Sequence, residues 1–129
     1  MTLLDTHTLI WLAGAPDLLS DQAREAIRKG RRSGGLGVSA INAFELSWLA
    51  HQGRLKFTGT VRTFMDSMLA LVTVQPLTSE IAVVASELPD QVPSDPVDRL
   101  MTATALILGS PLVTKNARIR SYPGIQTIW

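Results

Sequence analysis

Residues 93–108, Pro93-Ser94-Asp95-Pro96-Val97-Asp98-Arg99 followed by the run LMTATALIL, decide how the rest of this sequence is read. Two acids and an arginine stand at the mouth of a segment that is apolar nearly all the way round, which predicts a buried helix over 96–108. A carboxylate at the start of a buried helix either caps the helix or holds something in a cleft. The capping signals are strong: Asp95 falls at the N-cap, Pro96 at the first helical position and Asp98 three residues on, as in a capping box. The residues elsewhere in the chain argue for the second role.

Outward from this helix, short apolar runs alternate with helical patterns. Thr2-Leu3-Leu4-Asp5, Leu36-Gly37-Val38-Ser39, Leu71-Val72-Thr73-Val74 and Pro111-Leu112-Val113-Thr114 read as strands, with a fifth from Ile125 to Trp129. Between them lie helical patterns over about 9–13, 20–32, 40–52, 60–70 and 79–88, and Gly109 stands as the C-cap of the helix 96–108. Strands alternating with helices at this spacing predict an α/β fold: one domain over residues 1–129, with a mostly parallel sheet of four to five strands and helices on both faces. A chain of 129 residues, 46% hydrophobic and 18% charged, is long enough to build one such core.

In an open parallel sheet, ligands bind beyond the carboxyl ends of the strands. The pattern sends Asp5, Ser39 and Thr114 to that edge, with Asn116 two residues further on. The start of the helix 96–108 brings Asp95 and Asp98 there too. On the helix 40–52 the apolar positions Ile41, Phe44, Trp48 and Leu49 form a stripe, and Glu45 falls inside it. This predicts Trp48 as a core residue and Glu45 as a carboxylate in need of a cation, because an unpaired buried charge costs several kcal/mol. Arg99 is one candidate partner. A divalent metal is the other: Asp5, Glu45 and Asp98 facing one cleft repel each other, and a hard cation such as Mg²⁺ or Mn²⁺, which prefers oxygen ligands, resolves the repulsion. Such an ion suits hydrolysis of a phosphodiester.

The net charge is +1, so attraction of an anionic polymer would rest on local patches. Arg24, Arg28, Lys29, Arg31 and Arg32 crowd one segment, and beyond Asp98 there are Arg99, Lys115, Arg118 and Arg120 but no acid. These clusters are either solvated faces or contacts to an anionic polymer, with Arg24, Arg28, Lys29, Lys115 and Arg118 as the binding candidates. Trp11, Trp48 and Trp129 are candidates for stacking bases. His7 is expected to pack or to bond locally, and Ser39 either supports a ligand through water or caps the following helix. The chain has no cysteine, no apolar run of membrane-spanning length and no basic leader, and a cytoplasmic protein is therefore expected.

The runs LLDTHTLIWL (3–12), VSAINAFEL (38–46), PSDPVDRLMTATAL (93–106) and PLVTKNARI (111–119) resemble those of PIN-domain ribonucleases, in particular the VapC-type toxins of bacterial toxin–antitoxin pairs. The resemblance runs nearly the whole chain, to the closing IQTIW. It implies a three-layer α/β/α sandwich, Mg²⁺- or Mn²⁺-dependent endoribonuclease activity, a homodimer and a VapB-type antitoxin. Asp5, Glu45 and Asp98 match the family's first three acids, and Thr114 its hydroxyl residue after the fourth strand. Asp95 accompanies the third acid as a supporting residue. The departure is Asn116, where many relatives have a fourth acid; it offers a carbonyl oxygen but one charge fewer, which favours one tightly held cation over two. A catalytically weakened RNA- or protein-binding module on the same fold is the alternative reading. A phosphatase with Asp5 as nucleophile is disfavoured, since such enzymes need an acid where His7 stands. The apolar segments 9–13 and 40–64 are where an amphipathic antitoxin helix is expected to dock.

Overall fold

The computed structural model describes residues 1–129. Five strands, β1 (Thr2–Leu4), β2 (Leu36–Ser39), β3 (Thr73–Gln75), β4 (Leu112–Val113) and β5 (Thr127–Ile128), form one sheet in the order β3-β2-β1-β4-β5. Every pairing is parallel, so the sheet is wholly rather than mostly so. The helices are α1 (Thr6–Gly14), α2 (Asp21–Arg32), α3 (Ala40–His51), α4 (Val61–Leu69), α5 (Ser79–Glu87), α6 (Pro96–Leu108) and the four-residue α7 (Ala117–Arg120). A 3₁₀ turn at Pro16–Leu18 joins α1 to α2. No helix is long and apolar enough to cross a membrane.

The pleat sorts the core into layers. Successive side chains of a strand point to opposite faces. Leu4 and Val113 join Leu9, Ile27, Val38, Leu46 and Met68 on one face, whereas Leu3 and Leu112 join Met101, Ala105 and Ile119 on the other. A third cluster, Ile81, Ala85, Leu88, Val92 and Ala103, packs α5 on α6. The result is a three-layer α/β/α sandwich. β1 and β2 are buried at every residue, as expected for parallel strands covered on both sides.

Three sequence expectations shift. Strand β3 begins at Thr73, because the amides of Leu71 and Val72 instead close the end of α4 on the carbonyls of Met68 and Leu69. Helix α6 is buried from Met101 to Ala105, but Leu106, Ile107 and Leu108 in its last turn emerge from the core. The face of α3 is rotated from the expected stripe. Asn42, Leu46 and Ala50 point inward, while Phe44 and Trp48 are 57% and 55% exposed and stack on each other with centroids 6.1 Å apart. Trp48 is therefore not a core residue. Apolar side chains occur on nearly every face of this helix, so hydropathy alone does not set its phase.

Candidate active site

The site begins at β1, the central strand. Asp5 follows it immediately and caps α1, with Oδ1 accepting the amide of Thr8 at 2.7 Å. Its other oxygen, Oδ2, accepts the hydroxyl of Thr114 at 2.5 Å, just past β4. Thr114 Oγ1 in turn accepts the amide of Asn116 at 3.1 Å, and the hydroxyl of Thr8 donates to the carbonyl of Val113 at 3.0 Å. Asp5 is thus fixed on both oxygens across the junction of β1 and β4.

Helix α3 brings Glu45, and the first turn of α6 brings Asp98, to the same cleft of about 340 Å³, which Trp11, Lys115 and Asn116 also line. No salt bridge neutralises Glu45; the ion pairs of the molecule are Arg24–Asp21 and Arg28–Glu25, both on α2. The Asp98 carboxyl is pushed up from 3.8 to about 6, chiefly because it is partly withdrawn from water, then by the negative charges of Asp95, Glu45 and Asp5; Arg118 pulls it slightly back.

Asn42 stands one helical turn before Glu45. Its amide nitrogen donates to Thr6 Oγ1 at 3.1 Å and to Met101 Sδ at 3.3 Å, while its oxygen is buried without a partner. Thr6 follows Asp5, and Met101 lies one turn after Asp98. One buried amide therefore ties together the three elements that present the acids.

The three carboxylates suit a hard divalent cation, with like charges facing one another and no thiolate, although His7 also lines the cleft. No three acidic or imidazole side chains are gathered into a ready-made metal cage. An ion held here would take one or two carboxylates, with waters and substrate phosphate completing its shell.

A family model for the PIN domain matches residues 2–125. The chain belongs to the PIN-domain family. It is 39% identical to Ribonuclease VapC22 of Mycobacterium tuberculosis over 129 residues, covering 98% of this chain and 97% of that protein. The same fold recurs in the crystal structure of VapBC2 from Rickettsia felis bound to a DNA fragment from their promoter (TM-score 0.73, 15% identity, 98% and 96% of the two chains). It recurs again in DNA-bound VapBC from Salmonella typhimurium (TM-score 0.72, 20% identity, 98% and 97%).

Within this PIN domain the predicted site residues divide. Asp5, Glu45, Asp98, Lys115 and Asn116 line the cleft. Asp95 is the N-cap of α6, accepting the amides of Val97 at 2.8 Å and Asp98 at 3.3 Å; it acts on the cleft only through its charge. Ser39 is buried as the N-cap of α3, where it accepts the Ile41 amide and the Thr104 hydroxyl. Asn116 caps α7, its Oδ1 accepting the amides of Arg118 and Ile119. Arg99 faces away from the acids. Its guanidinium donates to the carbonyls of Ala85 (2.9 Å), Val92 (3.4 Å) and Leu88, so it is neither a partner of Glu45 nor a cleft residue.

The basic segment is also displaced. The end of α2 meets the start of the sheet, where Gly30 lies so close to Thr2 and Leu36 that a Cβ would clash, and Gly35 accepts the amide of Thr2. Arg28, Lys29, Arg31 and Arg32 therefore sit by the amino edge of the sheet, opposite the acids. Arg24 and Arg28 are besides already paired with Asp21 and Glu25. The cations near the cleft are Lys115 and Arg118. Sequence reasoning missed Thr6, Asn42 and Met101. Their only signal is spacing, one residue or one turn from each acid.

Proposed function

We propose that this PIN domain is a metal-dependent endoribonuclease acting as the toxin of a toxin–antitoxin pair. The observation that carries the reading is the meeting of Asp5, Glu45 and Asp98 in one cleft at the carboxyl edge of the central strand. These three would hold Mg²⁺ or Mn²⁺. When bound, such an ion acidifies a water and offsets the charge that builds on a phosphate under attack. The chain's own part is positional. Thr8 and Thr114 fix both oxygens of Asp5, Asn42 sets the spacing of α1, α3 and α6, and Asn116 holds the loop after β4. Lys115 and Arg118 supply the positive charge that draws in the RNA backbone.

The same reading gives residues 1–129 as one domain, working in the cytoplasm as a homodimer and silenced by a VapB-type antitoxin, in line with the VapBC complexes that share its fold. An apolar groove of about 270 Å³ between α1 and α4 is lined by Ile10, Ala13 and Phe64, from the segments expected to receive an antitoxin helix, and by Met68 just beyond them.

The test is cleavage of RNA by the purified protein in Mn²⁺, Mg²⁺ or EDTA, beside the Asp5→Asn variant. Cleavage that requires both the metal and Asp5 supports the assignment. Metal-independent cleavage, or cleavage undiminished in Asp5→Asn, would sink it. If neither protein cleaves, Asn116→Asp restores the fourth acid, and continued silence favours the binding module.

A further inference from the structure

At the rim of the acidic cleft the structure holds an aromatic cluster that none of the three acids needs. Trp11, on α1, lines the cleft and is only partly buried. Its ring lies 5.8 Å from the ring of His7 and 5.6 Å from that of Trp129, both tilted against it. Lys115 Nζ stands over the Trp11 ring, 5.8 Å from its centre, and forms no salt bridge although three carboxylates line the same cleft.

We infer that Trp11 and Lys115 form a nucleotide subsite in which an unpaired base of single-stranded RNA stacks on the indole and the adjoining phosphate meets the lysine ammonium. The inference rests on the nuclease reading above and adds to it the two residues that would hold one nucleotide of the substrate. The argument is one of charge. The cleft carries three acids, and its cations are Lys115 and the neighbouring Arg118, because the basic end of α2 lies at the opposite edge of the sheet. So few cations neutralise only one or two phosphates. Binding must draw its remaining strength from contacts that salt does not screen, and the indole is the large aromatic surface in the cleft. Base–aromatic stacking tolerates any base but requires that base to be out of a helix. A cation held over an exposed ring is weakly bound, so Lys115 is free to exchange the indole for a phosphate.

The experiment uses a fluorescein-labelled, unstructured 12-nucleotide RNA, with binding followed by anisotropy in Ca²⁺ and cleavage kinetics followed in Mn²⁺. Trp11→Leu should weaken binding at least about 5-fold, the lower end of what one lost stack costs. It should also raise KM while leaving kcat within about 2-fold, whereas a role in holding the acids would lower kcat instead. Trp11→Phe, which keeps an aromatic face, should recover most of the affinity and decides the matter if the leucine variant does not fold. For the parent, log Kd against log salt should have a slope of about 0.7 to 1.4, for one or two phosphates, and Lys115→Ala should flatten it. Unchanged binding and KM in both Trp11 variants, with the parent binding and cleaving, would overturn the subsite and leave the nuclease reading intact. A parent that neither binds nor cleaves this RNA would overturn both.

Discussion

Asp98 is held where its charge is unwelcome. Its pKa rises from 3.8 to about 6, so the folded protein binds its proton more tightly than the unfolded chain does. The stabilisation this gives is fully present below about pH 4 and is lost as pH rises through 6; at neutral pH the ionised carboxylate is a burden. The full shift would correspond to roughly 3 kcal/mol, but water still reaches the group, and screening reduces this to about 1 kcal/mol. Asp98→Asn should therefore raise the Tm of the metal-free protein by about 3 °C at pH 7.5 and by nothing at pH 4, while abolishing cleavage. Added Mn²⁺ should raise the parent's Tm and leave the variant's unmoved; thermal scans in EDTA and in Mn²⁺ check both statements. Asn42 makes a sharper case, because its buried oxygen has no partner. Asn42→Leu should cost little stability but weaken Mn²⁺ binding about 10-fold in calorimetry, as loss of an outer-sphere support does. Equal Mn²⁺ affinity in the two proteins would refute that role. Glu45 was legible as an acid out of place, though the stripe used to find it was turned: Phe44 and Trp48 face outward and Asn42, Leu46 and Ala50 inward. Asn42 itself was not legible, since nothing in a sequence distinguishes a bridging amide from any other polar residue on a helix.

At the scale of elements, most helix starts were readable because their chemistry is local, but α1 starts at Thr6 rather than near Leu9, with Asp5 as its N-cap. Ser20, Ser39, Thr60, Thr78 and Asp95 each accept an amide of the following turn. Gly109 ends α6 in the left-handed conformation, with φ of 60°. The short elements escaped, namely the 3₁₀ turn at Pro16–Leu18 and α7, which are too brief to show a period. Arg99 shows how an element's role depends on partners distant in sequence. Next to Asp98 it reads as a site residue, yet its guanidinium closes the link between α5 and α6 by reaching three carbonyls. Arg99→Leu should lower stability by about 2–3 kcal/mol, or roughly 10 °C in Tm, by leaving those carbonyls unpaired. Its Mn²⁺ affinity at 15 °C should equal the parent's. A weakened metal site in a well-folded Arg99→Leu protein would return the residue to the cleft.

Across the whole molecule, the architecture follows from alternation alone, and the acids share one cleft because parallel strands all deliver their carboxyl ends to one edge. The distribution of positive charge was not legible, since a run of arginines carries no mark of which edge it reaches. Helix α2, 12 residues and so roughly 18 Å long, ends at the amino edge. Its last turn packs against Thr2, about 10 Å along β1 from Asp5 and so roughly one Debye length away in 0.1 M salt. Replacing Arg28, Lys29 and Arg32 together by Gln should leave kcat/KM for RNA within about 2-fold in 0.15 M salt. A much larger loss would mean that RNA wraps from one edge of the sheet to the other.

The order of strands also sets when the cleft can exist. β1 is made first, but its neighbour β4 is drawn from residues more than a hundred positions later, and the hydroxyl that fixes Asp5 comes with it. During synthesis the first acid waits on an open strand edge, without its Thr114 anchor, until the segment around 112–116 has left the ribosome tunnel. Pairing so distant in sequence is slow to form even then. The cleft is thus delayed by the route of the chain itself: the segment around 112–116 must be translated before Asp5 gains its Thr114 anchor.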